Sequence, residues 1–175
     1  MHTYLPHLSN PQVRVGALFS FGMILARSCA LTSVACMLAP RLQQSPATVR
    51  QCLREICYEA KRKRGAKRVT RGVEEGFVCL LGWVLSWGEG TQIALALDAT
   101  PLADRFHGLG LRVVYRGGAI PVAWKLLPAE QKHAWRPEWL RLLRLVHRAI
   151  PADKTLIVLA DRGLYARGLF GRMCA

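Results

Sequence analysis

The sequence predicts an α/β chain in which a helical N-terminal region precedes a mixed β-sheet with flanking helices, and three observations carry that reading. Through the first third of the chain, apolar residues recur in helix-like runs separated by breaks and a proline. Later, two short apolar runs, Ile93 to Leu97 and Thr155 to Ala160, each end in an aspartate, the pattern of strands buried on both faces. Between them stand two further strand-like runs, joined by Arg116-Gly117-Gly118, and one amphipathic stretch of helical period.

Taken in order, the first element is an apolar segment within Val13 to Ala39, breaking near Arg27-Ser28 and resuming from Leu31 to Leu38 before Pro40. Arg14 and Arg27 divide this stretch into pieces shorter than the roughly 20 apolar residues that cross a bilayer. Two packed core helices are therefore expected rather than a membrane span. No basic region precedes the apolar residues, which argues against a signal peptide. Ser45 is placed to cap a third helix with Pro46 at its first position. Val49, Leu53, Ile56 and Cys57 share its apolar side, and Arg50, Arg54 and Glu55 the other.

A run of cations follows: Lys61, Arg62, Lys63, Arg64, Lys67, Arg68 and Arg71. Such a run is as often a plain solvated face. Behind a basic amphipathic helix it reads better as a phosphate-contacting arm. Residues 1–72 are thus expected to form a helical DNA-binding region with a basic connector, and residues 73–175 a second domain. Val73 to Trp87 opens that domain as an apolar helix.

Leu111 to Tyr115 and Ile120 to Leu127 should pair as an antiparallel hairpin, with the second strand at the sheet edge because it holds Pro121. Trp135 to Ile150 reads as a helix with Leu140, Leu143 and Val146 inward and Arg141, Arg144 and Arg148 outward.

The charge balance narrows the partner. Twenty-five Lys and Arg against eleven Asp and Glu give a formal net charge of +14, a bias toward an acidic polymer or an anionic surface. The six cysteines contain no Cys-x-x-Cys pair, so neither a zinc site nor a disulfide framework is expected. They read as reduced, mostly buried thiols of a cytoplasmic protein. His107, His133 and His147 lack metal-ligand spacing.

Asp98 and Asp161 carry the chemistry. One crossover between the two runs would set their strands side by side and parallel. At a strand separation of about 4.8 Å, two carboxylates at matching heights can close on one divalent cation. Either aspartate alone is as well explained as a turn cap; the pair, in so basic a chain, favours the metal. Two-metal phosphoryl transfer uses three or four carboxylates.

Three blocks sharpen this: Leu97-Asp98-Ala99-Thr100-Pro101-Leu102, Gly118-Ala119-Ile120-Pro121-Val122-Ala123-Trp124 and Val158-Leu159-Ala160-Asp161-Arg162-Gly163. In this order they resemble the blocks of DDE insertion-sequence transposases of the IS-four type, over about residues 90 to 170. The resemblance implies an RNase H-like fold, Asp98 and Asp161 as catalytic and metal-binding acids, and Mg²⁺ or Mn²⁺ as cofactor. It implies double-stranded DNA, both element ends and target, as partner, with Arg162 beside the second acid joining the DNA contacts, and it is compatible with a homo-oligomer. The family's glutamate lies well downstream of the second aspartate, and no Glu follows Glu138 here. The expectation is therefore a truncated RNase H-like domain that nicks and transfers DNA strands only with that segment supplied. The alternative is a catalytically dead DNA-binding protein competing with an intact transposase.

Overall fold

The computed structural model describes residues 5–54, 58, 72–130 and 135–161. They fall into two compact units, residues 1–72 and 73–175.

The first unit is three helices, α1 (Asn10–Ala26), α2 (Leu31–Leu42) and α3 (Pro46–Arg54). Helix α1 starts at Ser9, whose backbone N–H donates to Gln12 Oε1 at 2.9 Å, satisfying a donor the helix leaves open. It ends on Arg27, left-handed at φ 48°, and Ser28 N–H closes the last turn on Met23 O at 3.3 Å.

The chain reverses sharply there, α1 and α2 being bent by 100° across the break. Gly22 makes this packing possible: a Cβ on it would stand 2.5 Å from Val34 Cγ1 and 2.9 Å from Leu38 Cδ1. No single helix among the described residues is long and apolar enough to cross a membrane, and α1 and α2 pass that test only as a bent pair.

Helix α2 runs through Pro40 to Leu42, past the proline expected to end it. Pro40 sits in the last turn, near the helix end, and Gln43 and Gln44 N–H still reach Pro40 O and Ala39 O. At α3, Ser45 Oγ accepts from Thr48 N–H at 3.1 Å, the expected N-cap. Val49 and Leu53 join Val34, Ala35, Leu38 and Ala39 in one apolar core.

The thiols differ from expectation. Cys29, Cys36 and Cys52 are free but exposed, and Cys79 is half-buried: Cys29 lies in the break between α1 and α2, and the other three sit on α2, α3 and the helix over Val73–Leu85, whose buried positions are taken by Val, Leu, Ala and Phe.

The second unit is mixed α/β: α4 (Val73–Leu85), β1 (Gln92–Leu102), β2 (Phe106–Tyr115), β3 (Gly118–Pro128), α5 (Trp135–His147) and β4 (Thr155–Ala160). The sheet order is β3-β2-β1-β4. Strands β1, β2 and β3 pair antiparallel in sequence, and β4 pairs parallel to β1. Strand β3, with Pro121, is at an edge, where the missing N–H costs nothing. The β2–β3 turn takes positive φ at Arg116 (48°) and Gly117 (79°), which suits a two-residue hairpin.

One sheet face is covered. Phe77, Leu81 and Val84 of α4 and Trp139, Leu142, Leu143 and Val146 of α5 pack with Leu95, Leu97, Leu109, Leu111, Val113, Val122, Ala123 and Leu127. Arg141 of α5 reaches Glu74 of α4 at 2.9 Å and ties the two helices together. The inward set of α5 is centred on Trp139 and Leu142 as well as Leu143 and Val146, and Leu140 is only partly buried.

The opposite face carries exposed Leu102, Phe106, Val114, Ile157 and Leu159. The two aspartate-terminated runs are therefore not buried on both faces. Strand β4 is an edge strand whose alternate residues are exposed.

Candidate functional site

Strand β1 does not stop at Asp98. It continues to Leu102, because β2 pairs with it as far as Leu102↔Phe106. What stops is β4: its last parallel pair with β1 is Leu97↔Ala160. Asp98 and Asp161 are the next residue on each strand. Both therefore follow the same rung of a parallel ladder, one strand spacing of about 4.8 Å apart in the sheet direction. This is the juxtaposition expected of the two acids, although Asp98 lies within a strand rather than at its end.

Alternation fixes the face. Leu95 and Leu97 point into the helix-covered core, so Asp98 points away from it, onto the uncovered face. Asp98 stands across from Gly110 of β2, and Arg112, two residues along, stands across from Ala96.

Three side chains meet there. Arg112 Nη2 donates to Asp98 Oδ2 at 2.9 Å, the two side chains being 39% and 44% exposed. Thr100 Oγ1 donates to the same Oδ2 at 2.9 Å. Arg112 lies across Gly110: a Cβ there would be in ordinary contact with it, 3.7 Å from Arg112 Nε. That Nε is itself buried and has no hydrogen-bond partner among the described residues. Asp161 is exposed.

A Mg²⁺ or Mn²⁺ centre would need oxygen donors in near-octahedral array, with at least one further carboxylate for two-metal work. Among the described residues no group of three or more His, Cys, Asp or Glu is placed to hold a metal. One oxygen of Asp98 is also held by a fixed positive charge. The described residues alone do not fit such a centre.

Of the residues expected to contact DNA, Arg50 and Arg54 lie exposed on α3, opposite buried Val49 and Leu53. The Arg54 guanidinium sits 5.2 Å from the Tyr58 ring centroid. Lys61, Arg62, Lys63, Arg64, Lys67, Arg68, Arg71 and Arg162 lie outside the described residues.

Sequence reasoning missed Arg112 and Thr100. The signal for Arg112 was present: an isolated cation inside Leu111-Arg112-Val113-Val114, in a strand that a short turn must lay against the one bearing an isolated anion. Two cavities elsewhere are not lined by either aspartate. One of about 530 Å³ lies among the three N-terminal helices, and one of about 300 Å³ lies near Gln92, Arg116 and Lys154, at the other end of the strands.

No protein-family model, curated protein or solved structure matches this chain.

Proposed function

We propose that this chain is a DNA-binding protein of the DDE transposase type, with an RNase H-like sheet, that engages duplex DNA and does not cut it unaided. The observation that supports this most is the parallel register of β1 and β4, which brings Asp98 and Asp161 to neighbouring positions after Leu97↔Ala160. Three antiparallel strands followed by one parallel to the first, with the Pro121 strand at the edge, accord with the fold implied by the three sequence blocks. Exposed Arg50 and Arg54, the run from Lys61 to Arg71 and a net charge of +14 supply the attraction to phosphate.

Strand cleavage belongs to this reading only when a further carboxylate joins the two aspartates, from the same chain or in trans. The ion pair at Asp98 favours the second reading, a DNA-binding competitor of an intact transposase. On either reading the partner is double-stranded DNA and the compartment the cytoplasm.

The test has two arms on the 175-residue chain. Affinity for duplex DNA, followed by fluorescence anisotropy across a salt series, is expected to fall steeply. Replacing Lys61, Arg62, Lys63 and Arg64 together by Ala should reduce the log–log slope by about 3 to 4, at roughly 0.9 per phosphate neutralised. An unchanged slope would reduce the run to a solvated connector. In the second arm, supercoiled plasmid with Mn²⁺ should remain uncut. Nicking that disappears in Asp98→Ala would show a complete site and overturn the proposal.

A further inference from the structure

The uncovered sheet face poses a question the DNA-binding reading leaves open: how readily the neighbouring Asp98 and Asp161 would accept a divalent cation. The answer lies one strand away. Arg112 is anchored on β2, on the same face as Asp98, and its side chain crosses the space above Gly110 to reach Asp98 Oδ2 at 2.9 Å. Thr100, two residues along β1, donates to that same oxygen at 2.9 Å. Both donors come from paired strands, so backbone pairing holds their positions. The path of Arg112 also buries Nε without a partner, a cost that an arginine free to swing into solvent would avoid.

From this we propose that Arg112 is a resident counter-cation that occupies the place of a divalent ion and keeps the Asp98–Asp161 pair from binding one. A divalent cation bridging the two carboxylates would stand within a few ångströms of the guanidinium, and its double charge at that range is repelled even in a solvent-screened site. It would also have to take Asp98 Oδ2 from Arg112 and Thr100. Three charges are balanced differently once Arg112 is neutral. The two carboxylates then face each other across one strand spacing with no cation between them, which is the condition that draws Mn²⁺ or Mg²⁺ to oxygen ligands.

The inference stands on register and the ion pair rather than on DNA recognition, so its failure and that of the functional proposal are seen in separate measurements. The probe is Mn²⁺ alone, titrated into the full chain and followed by loss of the free-ion electron paramagnetic resonance signal, with circular dichroism confirming the fold of each variant. Wild type and Asp98→Asn are expected to bind Mn²⁺ equally weakly. Arg112→Gln should bind about tenfold tighter or more, Arg112→Lys should not, and Arg112→Gln combined with Asp98→Asn should lose the gain.

A wild-type site that vanishes in Asp98→Asn would overturn the proposal. So would a folded Arg112→Gln variant with wild-type affinity, or a gain that survives Asp98→Asn. Should Arg112→Gln fail to fold, Arg112→Ala takes its place, and the comparison of wild type with Asp98→Asn decides between exclusion and binding without either variant.

Discussion

The two faces of the four-stranded sheet are made by the same strands and differ in almost everything else. On the helix-covered face, Leu95, Leu97, Leu109, Leu111 and Val113 are buried, and so are Phe77, Leu81, Trp139 and Val146 above them. On the other face stand Asp98, Thr100 and Arg112, bracketed by exposed Leu102, Val114, Ile157 and Leu159. A period of two lets one strand serve both, because successive residues point to opposite faces except where a bulge interrupts the pleat. Stability is thus concentrated on one face and charge on the other. Chemistry placed at Asp98 can be altered without disturbing the core.

The comparison breaks most directly at Leu111. Fully buried and paired with Ala123, it touches a region that cannot easily collapse around a void. Leu111→Ala should destabilise the protein by about 2–5 kcal/mol, read as a lower urea midpoint at unchanged slope. A loss under about 1 kcal/mol would mean that the covered face is loosely packed. A companion effect is expected in the helical unit at Gly22. There an added methyl meets Val34 Cγ1 at 2.5 Å, so Gly22→Ala should cost about 1–3 kcal/mol through overpacking.

Much smaller is the expected effect of separating Asp98 from Arg112. Both side chains are more than a third exposed, and solvent screens such pairs. A double-mutant cycle on Asp98→Ala and Arg112→Ala should give a coupling of about 0.2–1 kcal/mol. A coupling well above that range would show the pair to be desolvated, and would join the two faces energetically.

How far these faces were legible in the sequence differs by residue. The helix-covered one was readable: Ile93 to Leu97 and the hairpin strands are apolar at alternate positions or throughout, and burial follows hydrophobicity. The neighbourhood of Asp98 and Asp161 was readable too, because a single crossover leaves little choice about which strands become neighbours. Three features were not. An unbroken apolar run looks the same whether a second layer covers it or not, so the exposure of Ile157 and Leu159 could not be foreseen from composition.

Thr100-Pro101 looks like the start of a loop, yet β1 continues through it to Leu102. Pro101 is tolerated because β4 has ended by then, leaving β1 a partner on one side only. Gly108 and Gly110 interrupt the strand pattern of β2, which concealed its first half and with it the register. Without register, Arg112 could not be placed beside Asp98. The Arg112–Asp98 contact therefore rested on the least legible property of a sheet, the alignment of two strands across a loop.

The smallest effect is expected at Leu159, and it sharpens the comparison best. Leu159 is 46% exposed on β4, in register with Ala96 on the charged face. Its removal from water on folding is partial, and threonine brings the β-branched shape that strands favour. Leu159→Thr should therefore change the unfolding free energy by no more than about 0.5 kcal/mol, the usual range for an exposed position. Self-association is a different matter. Leu159 and Ile157 lie on a strand at the edge of the sheet, with one side unpaired among the described residues, which is the arrangement that promotes strand-to-strand aggregation. The same substitution should lower the light scattering of concentrated protein, and Leu159→Lys should lower it further by adding charge at the edge. The two readouts separate the alternatives. A stability loss above about 1.5 kcal/mol, seen in dilute protein that is monomeric by sedimentation, would mean that Leu159 is covered within the chain. The division into a packed face and an open, charged one would then be wrong.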